Sequence, residues 1–141
     1  VIRFIIYLLF IKLYLIDLAL KGNNDPINFF VKKFSSDSYF DEVVKGIKSA
    51  KRLRNKTHSF AVRKLGISCR YPGTFNSSIH VIISSKNYKT AILKTIRAGG
   101  CNCSRSNFIG SYFAALGGKQ VIPSLWITKC FHSKKIINLS K

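Results

Sequence analysis

The chain has no methionine, and no carboxylate after Glu42. Its five acids, Asp17, Asp25, Asp37, Asp41 and Glu42, all precede Val43, so the remaining 99 residues carry none. That stretch excludes a paired-carboxylate acid–base mechanism and a Mg²⁺ site built from hard anionic oxygens. A chain that begins with Val and lacks Met reads as a fragment, a processed product or a partial gene product. No internal repeat and no period-two alternation competes with helical spacing.

What is present suffices for one domain: 141 residues, 47% of them hydrophobic. Twenty-four Lys and Arg give a net charge of +19. A basic surface attracts phosphate-bearing partners, but the abundance of Lys, Ile, Phe, Asn and Tyr also reads as compositional bias. Charge alone is the weakest cue for nucleic-acid binding, so nucleic acid is not the expected partner.

The predicted elements are almost all helical. Ser38 to Asp41 resembles a capping box, and Phe40, Val43, Val44, Ile47 and Ala50 follow at helical spacing before a basic end from Lys51 to Lys56. A short helix is expected from His58 to Leu65, closed by Gly66. After a turn at Pro72-Gly73, Phe75, Ile79, Ile82 and Ile83 trace another apolar face. Residues 84–87 read as a loop. Tyr88, Ala91, Ile92, Thr95 and Ile96 line a helix that runs into Gly99-Gly100.

Residues 4–20 form a mostly apolar run between Arg3 and Lys21, interrupted by Lys12 and Asp17 and slightly short for a bilayer span. Arg3, Tyr7, Phe10, Tyr14, Asp17 and Lys21 recur at spacings of three and four, which predicts a packed helix with these side chains as its exposed edge. Lys12 at mid-membrane would cost about 3 kcal/mol. A packed helix, a mistranslated extension, a membrane segment and a signal segment all remain open here. The organisation expected is a hydrophobic helix over 1–21, a linker over 22–36 and a domain over 37–141.

Residues 96–126 are the stretch that reads as a site. Gly99-Gly100 permits positive φ and a sharp reversal, and the next helix, from about Asn102 to Leu116, is expected to be the central element, buried through Phe108, Ile109, Tyr112 and Phe113. Asn102 or Ser104 can cap it. Its free first-turn N–H groups, with Gly99, Gly100, Asn102, Ser104 and Arg105, form a candidate anion-binding concavity. The other reading of Arg105 is an arginine that faces solvent or bonds a carbonyl. Gly110, Ala114 and Ala115 permit close helix approach, Gly117-Gly118 ends the helix, and Pro123 opens the next, with Leu125 and Trp126 packing back.

The cysteines offer less. Cys101-x-Cys103 with Cys130-x-His132 has four soft donors, but the spacings are not those of structural zinc sites, and free thiols of an intracellular protein are the expected reading. Cys69 reads as a buried small hydrophobe. His58 and His80 read as standing alone.

Ala98-Gly99-Gly100, the run Cys101-Asn102-Cys103-Ser104-Arg105, the small-residue helix and Gly118-x-x-x-Ile122-Pro123-x-x-Trp126 together resemble the C-terminal signature of the ADP-ribosylglycohydrolase family. Leu65-Gly-Ile-Ser-Cys69, Pro72-Gly73-Thr74-Phe75 and the helix from Tyr88 to Ile96 stand upstream in matching order, closest to the J1-crystallin and selenoprotein J-like branch. The resemblance spans about Asp37 to Lys129. It implies an all-α fold of which this chain is the C-terminal part, an incomplete fold with core faces left exposed. In the family an Asp-Thr-Asp-Thr run binds Mg²⁺ where this chain has Cys101, Asn102, Cys103 and Ser104. Its N-terminal Gly-Asp turn and Thr-Asp-Asp-type run are absent.

Thiolates at Cys101 and Cys103 are soft ligands that Mg²⁺ does not favour, so no catalytic residue, metal or cofactor is expected in this chain. The function expected is that of a catalytically inactive relative with a structural, crystallin-like role or an ADP-ribose-binding one, located in the cytoplasm. The alternatives are a piece of an active ADP-ribosyl hydrolase completed by a missing half, and a small basic membrane-associated or nucleic-acid-binding protein anchored through residues 4–20.

Overall fold

A computed structural model describes the backbone of residues 2–139 and the side chains of residues 7–139. It is all-α: nine α-helices and two short 3₁₀ turns, with no strand among the described residues. The helices are α1 (Ile2–Leu20), α2 (Pro26–Phe34), α3 (Asp41–Arg52), α4 (His58–Leu65), α5 (Gly73–Ile83), α6 (Tyr88–Ala98), α7 (Asn102–Gly117), α8 (Ser124–Lys129) and α9 (Ser133–Leu139).

The central element is α5 rather than α7. Every residue from Gly73 to Ile82 is buried, and α3, α4, α6 and α7 all pack on it. A helix surrounded by neighbours has little water for its polar side chains, and two of them in α5 bond to its own backbone: the Ser77 hydroxyl donates to the Gly73 carbonyl at 2.6 Å and Ser78 to the Thr74 carbonyl at 2.7 Å, while Thr74 Oγ1 and Asn76 Oδ1 have no partner among the described residues. Its apolar residues Phe75, Ile79 and Val81 are wholly enclosed, each contributing about 2 kcal/mol of transfer free energy. Close approach of α4 and α5 depends on two glycines. A Cβ on Gly73 would stand 2.8 Å from the Gly66 Cα, and Gly66 itself has φ +122°.

Around this centre α7 lies against α6, α1 and α5, with Phe108, Ile109 and Tyr112 buried as expected and Phe113 half-buried. Gly110 admits the Tyr88 ring of α6, whose hydroxyl would lie 3.4 Å from a Cβ. Cys101 occupies the N-cap of α7, so neither Asn102 nor Ser104 caps it. Pro123 sits at the N-cap of α8, one position before the first turn. Trp126 packs back on the core near Tyr88, whereas Leu125 is exposed, as is Ile96 on α6. The 3₁₀ turn over Ser38–Phe40 is capped by Asp37, which accepts from the Tyr39 N–H at 2.9 Å, and α3 starts at Asp41 behind it.

Residues 22–36 are not a bare linker. Asp25 accepts from the Asn28 N–H at 3.2 Å, Pro26 occupies the first turn, and the resulting α2 buries Ile27 and Phe30 in the core. Nor is α1 an appendage: Leu8, Ile11, Leu15 and Ala19 form its buried stripe. Its exposed edge differs from the expected one. Phe10 is exposed as expected, but Tyr7 and Tyr14 are half-buried on an aromatic cluster with Phe30, Phe34 and Phe40, while Leu9, Leu13 and Leu20, outside that stripe, are more than half exposed. The side chains of residues 2–6, Arg3 among them, lie outside the described residues, as do residues 140–141 at the end of the expected domain. No described helix is long and apolar enough to cross a membrane.

Candidate functional site

The turn between α6 and α7 is built from backbone that only glycine accepts readily. Gly99 and Gly100 have φ of +73° and +71°, so the chain reverses within two residues and delivers Cys101 to the start of α7. The loop joining α4 to α5 runs alongside. The Cys101 N–H donates to the Ile67 carbonyl at 3.1 Å, and a Cβ on Gly100 would lie 2.5 Å from that same oxygen.

Arg105 is turned into this junction and is fully buried. Its guanidinium donates to the Gly99 carbonyl, to the Asn102 Oδ1 at 3.0 Å and to the Ile67 carbonyl at 3.4 Å, while its Nε has no partner among the described residues. Burial lowers its pKa and the nearby Cys101 opposes that. Of the two readings of Arg105, this geometry is the one that bonds carbonyls: the arginine ties the end of α6, the start of α7 and the α4–α5 loop together.

The residues at the family's metal positions face different surroundings. Cys101 is half-buried and its thiol is 3.1 Å from the Ser104 hydroxyl, which holds its pKa below the usual thiol range; the Ser104 amide and the Cys69 thiol act in the same direction. Cys103, exposed, looks into an open groove of about 520 Å³ between α1 and α7, lined also by Leu9, Lys12, Leu13, Ser104 and Phe108. The Lys12 ammonium lies 5.7 Å from the Phe108 ring centre, and burial lowers its pKa. Thiols, a carboxamide and a hydroxyl with no carboxylate among them do not fit Mg²⁺. No group of three or more His, Cys, Asp or Glu side chains among the described residues is arranged to hold a metal, so Cys130 and His132 do not complete a set with Cys101 and Cys103.

Three associations were not legible in the sequence. His58 and His80 are not isolated: their Nδ1 atoms are 3.1 Å apart inside the fold, and the Leu53 carbonyl lies 2.9 Å from His80 Nε2. The carbonyl can only accept, so His80 donates from Nε2 and accepts at Nδ1 from the His58 Nδ1–H. His58 Nε2 is then an acceptor with no donor among the described residues. Burial, then His80, Arg105 and Lys94, hold the His58 pKa down to about 3, and burial lowers that of His80. Lys12 in the groove and the exposed Cys69 beside Cys101 are the other two. Each joins residues on different elements, and no local spacing encodes such a meeting.

The glycine turn and the start of the small-residue helix are thus tied to the α4–α5 loop, and Trp126 of the Ile122-Pro123-x-x-Trp126 close meets Tyr88 of α6, over the residues that carry the family signature. The family model for ADP-ribosylglycohydrolase matches residues 11–141, beginning inside α1 and including α2. Crystallin J1A of Tripedalia cystophora is 36% identical over 88 residues, covering 62% of this chain and 27% of the relative. Crystallin J1B of the same animal is 30% identical over 97 residues, 69% of this chain and 30% of the relative. The aligned part is under a third of either crystallin's length. No solved structure gives a significant match. With the family model covering most of its length, from α1 through α9, this chain belongs to the ADP-ribosylglycohydrolase family.

Proposed function

We propose that this chain is a non-catalytic member of its family with a structural role of the kind that the word crystallin denotes in its relatives. The observation that carries the reading is the donor set at the α6–α7 turn. Cys101, Asn102, Cys103 and Ser104 offer no carboxylate, and the whole chain from Val43 onward has none with which to activate water. The orientation of Arg105 supports the structural role over ADP-ribose binding, because its hydrogen bonds go to Gly99, Asn102 and Ile67 and leave no guanidinium fork for a phosphate. A cytoplasmic location accords with four free thiols.

Two measurements test this. The chain with Mg²⁺ and ADP-ribosylated protein should release no ADP-ribose, and calorimetric titration with ADP-ribose should give no heat of binding. Mg²⁺-dependent turnover lost in Cys101→Ala would overturn the non-catalytic reading and revive the hydrolase. Binding abolished in Arg105→Lys, with the fold retained by circular dichroism, would replace the structural role with an ADP-ribose-binding one.

A further inference from the structure

The contact between the α4–α5 loop and the α6–α7 turn brings two thiols together from distant parts of the chain. Ile67 is fixed by the Cys101 N–H at 3.1 Å and by Arg105 at 3.4 Å, and Cys69 follows two residues along the same loop, near enough for its side chain to help hold the Cys101 thiol pKa down. The two cysteines differ in a complementary way. Cys101 stands at the N-cap of the 16-residue α7, with Ser104 as a hydrogen-bond partner of its sulfur, so the positive end of the helix and the hydroxyl favour its thiolate. Cys69 is exposed, on a loop held at its Ile67 end. The remaining thiols are elsewhere: Cys103 faces the α1–α7 groove, and Cys130 lines a hollow with Tyr88 and Trp126.

We propose that Cys69 and Cys101 are an oxidation site, a thiol pair that hydroperoxides convert reversibly into a disulfide joining the α4–α5 loop to the α6–α7 turn. The Cys101 thiolate attacks the terminal oxygen of the hydroperoxide, the O–O bond breaks, and the alkoxide or hydroxide leaves and takes up a proton. Cys101 is then a sulfenic acid. The Cys69 thiolate attacks that sulfur, the S–S bond forms, and hydroxide departs and is protonated to water. Two thiols lose two electrons and two protons, and the hydroperoxide is reduced to an alcohol, or for hydrogen peroxide to water, with one further water released. A small thiol reverses the step by exchange.

The test is a hydrogen peroxide titration of the reduced full chain, followed by blocking with N-ethylmaleimide, proteolysis without reduction and mass spectrometry. The expected product is an intramolecular bridge between residues 69 and 101, with Cys103 and Cys130 recovered as maleimide adducts, and the bridge gone after dithiothreitol. Cys69→Ser and Cys101→Ser should each abolish it, and Cys103→Ser and Cys130→Ser should leave it intact. The preference for this pair should disappear in concentrated urea, since the folded contact creates it. Bridges to Cys103 or Cys130, exclusively intermolecular disulfides, or Cys101 overoxidised to sulfinic acid while Cys69 stays free would each overturn the proposal.

Discussion

Around Phe30 and around Arg105 the molecule solves the same packing problem with different materials. In the first region Tyr14, Phe30, Phe34 and Phe40, contributed by α1, α2 and the turn before α3, meet with ring centres 4.3 to 6.1 Å apart in tilted and edge-on geometries. In the second, the buried Arg105 guanidinium bonds the Ile67 and Gly99 carbonyls and Asn102, and the His58–His80 pair, within electrostatic reach of it, is tied to the Leu53 carbonyl. Ring packing is non-directional and readily readjusted, so loss of one member spreads over many weak contacts. A buried charge network is directional, and loss of one member strands the others without water. The aromatic region should therefore tolerate substitution where the polar one does not.

The sharpest way to break this contrast is Arg105→Ala. It leaves the Gly99 and Ile67 carbonyls and the Asn102 amide short of a donor and opens a cavity, at an expected cost of about 4 kcal/mol. Urea unfolding by circular dichroism would measure it, and a loss no larger than that of an exposed-arginine substitution would refute the clamp.

Acid should act next, and on the polar region alone. His58, neutral in the fold with a pKa near 3, takes up its proton near 6.5 once unfolded. The unfolded chain therefore binds the proton first as pH falls, so stability is complete above 6.5 and is lost progressively toward 3. By pH 5 the loss from His58 is about 2 kcal/mol. The gap between urea midpoints at pH 7 and pH 5 should narrow in His58→Phe, leaving the part that the lowered pKa of His80 contributes, and an unchanged difference would assign the acid sensitivity elsewhere. The smallest effect is expected for Phe40→Leu, about 1 kcal/mol, because the neighbouring rings can close on the smaller side chain. A cost comparable to that of Arg105→Ala would abolish the distinction between the two regions.

The sequence carried some of this plainly and concealed the rest for identifiable reasons. Helices α4 and α6 are bounded by local chemistry: Thr57 and Asn87 accept from the amides of Phe60 and Thr90, and Gly66 and Gly99 close the far ends. Apolar spacing marked α3, and the pairs Gly99-Gly100 and Gly117-Gly118 marked the two ends of α7. The short α2 was lost because nine residues give its apolar face of Ile27, Phe30, Val31 and Phe34 little more than two turns in which to declare a period, although Asp25-Pro26 is a start signal. The central place of α5 was hidden because Thr74, Asn76, Ser77, Ser78 and His80 read as a polar face and are buried all the same. At the candidate site the glycine turn was legible, and Arg105 was recognisable as unusual. Its inward direction was not, since the loop that supplies Ile67 lies 38 residues upstream.

The enclosure of α5 also fixes the order in which the molecule can open. The amides of its middle, from Ser77 to Val81, meet solvent only when α3, α4 and α7 have all parted from it, so their exchange with deuterium is tied to the unfolding of the whole chain. Helices α8 and α9 have no buried residue and can fray without disturbing that centre. The slowest clock in the protein thus runs in the helix that encloses Thr74, Asn76, Ser77, Ser78 and His80.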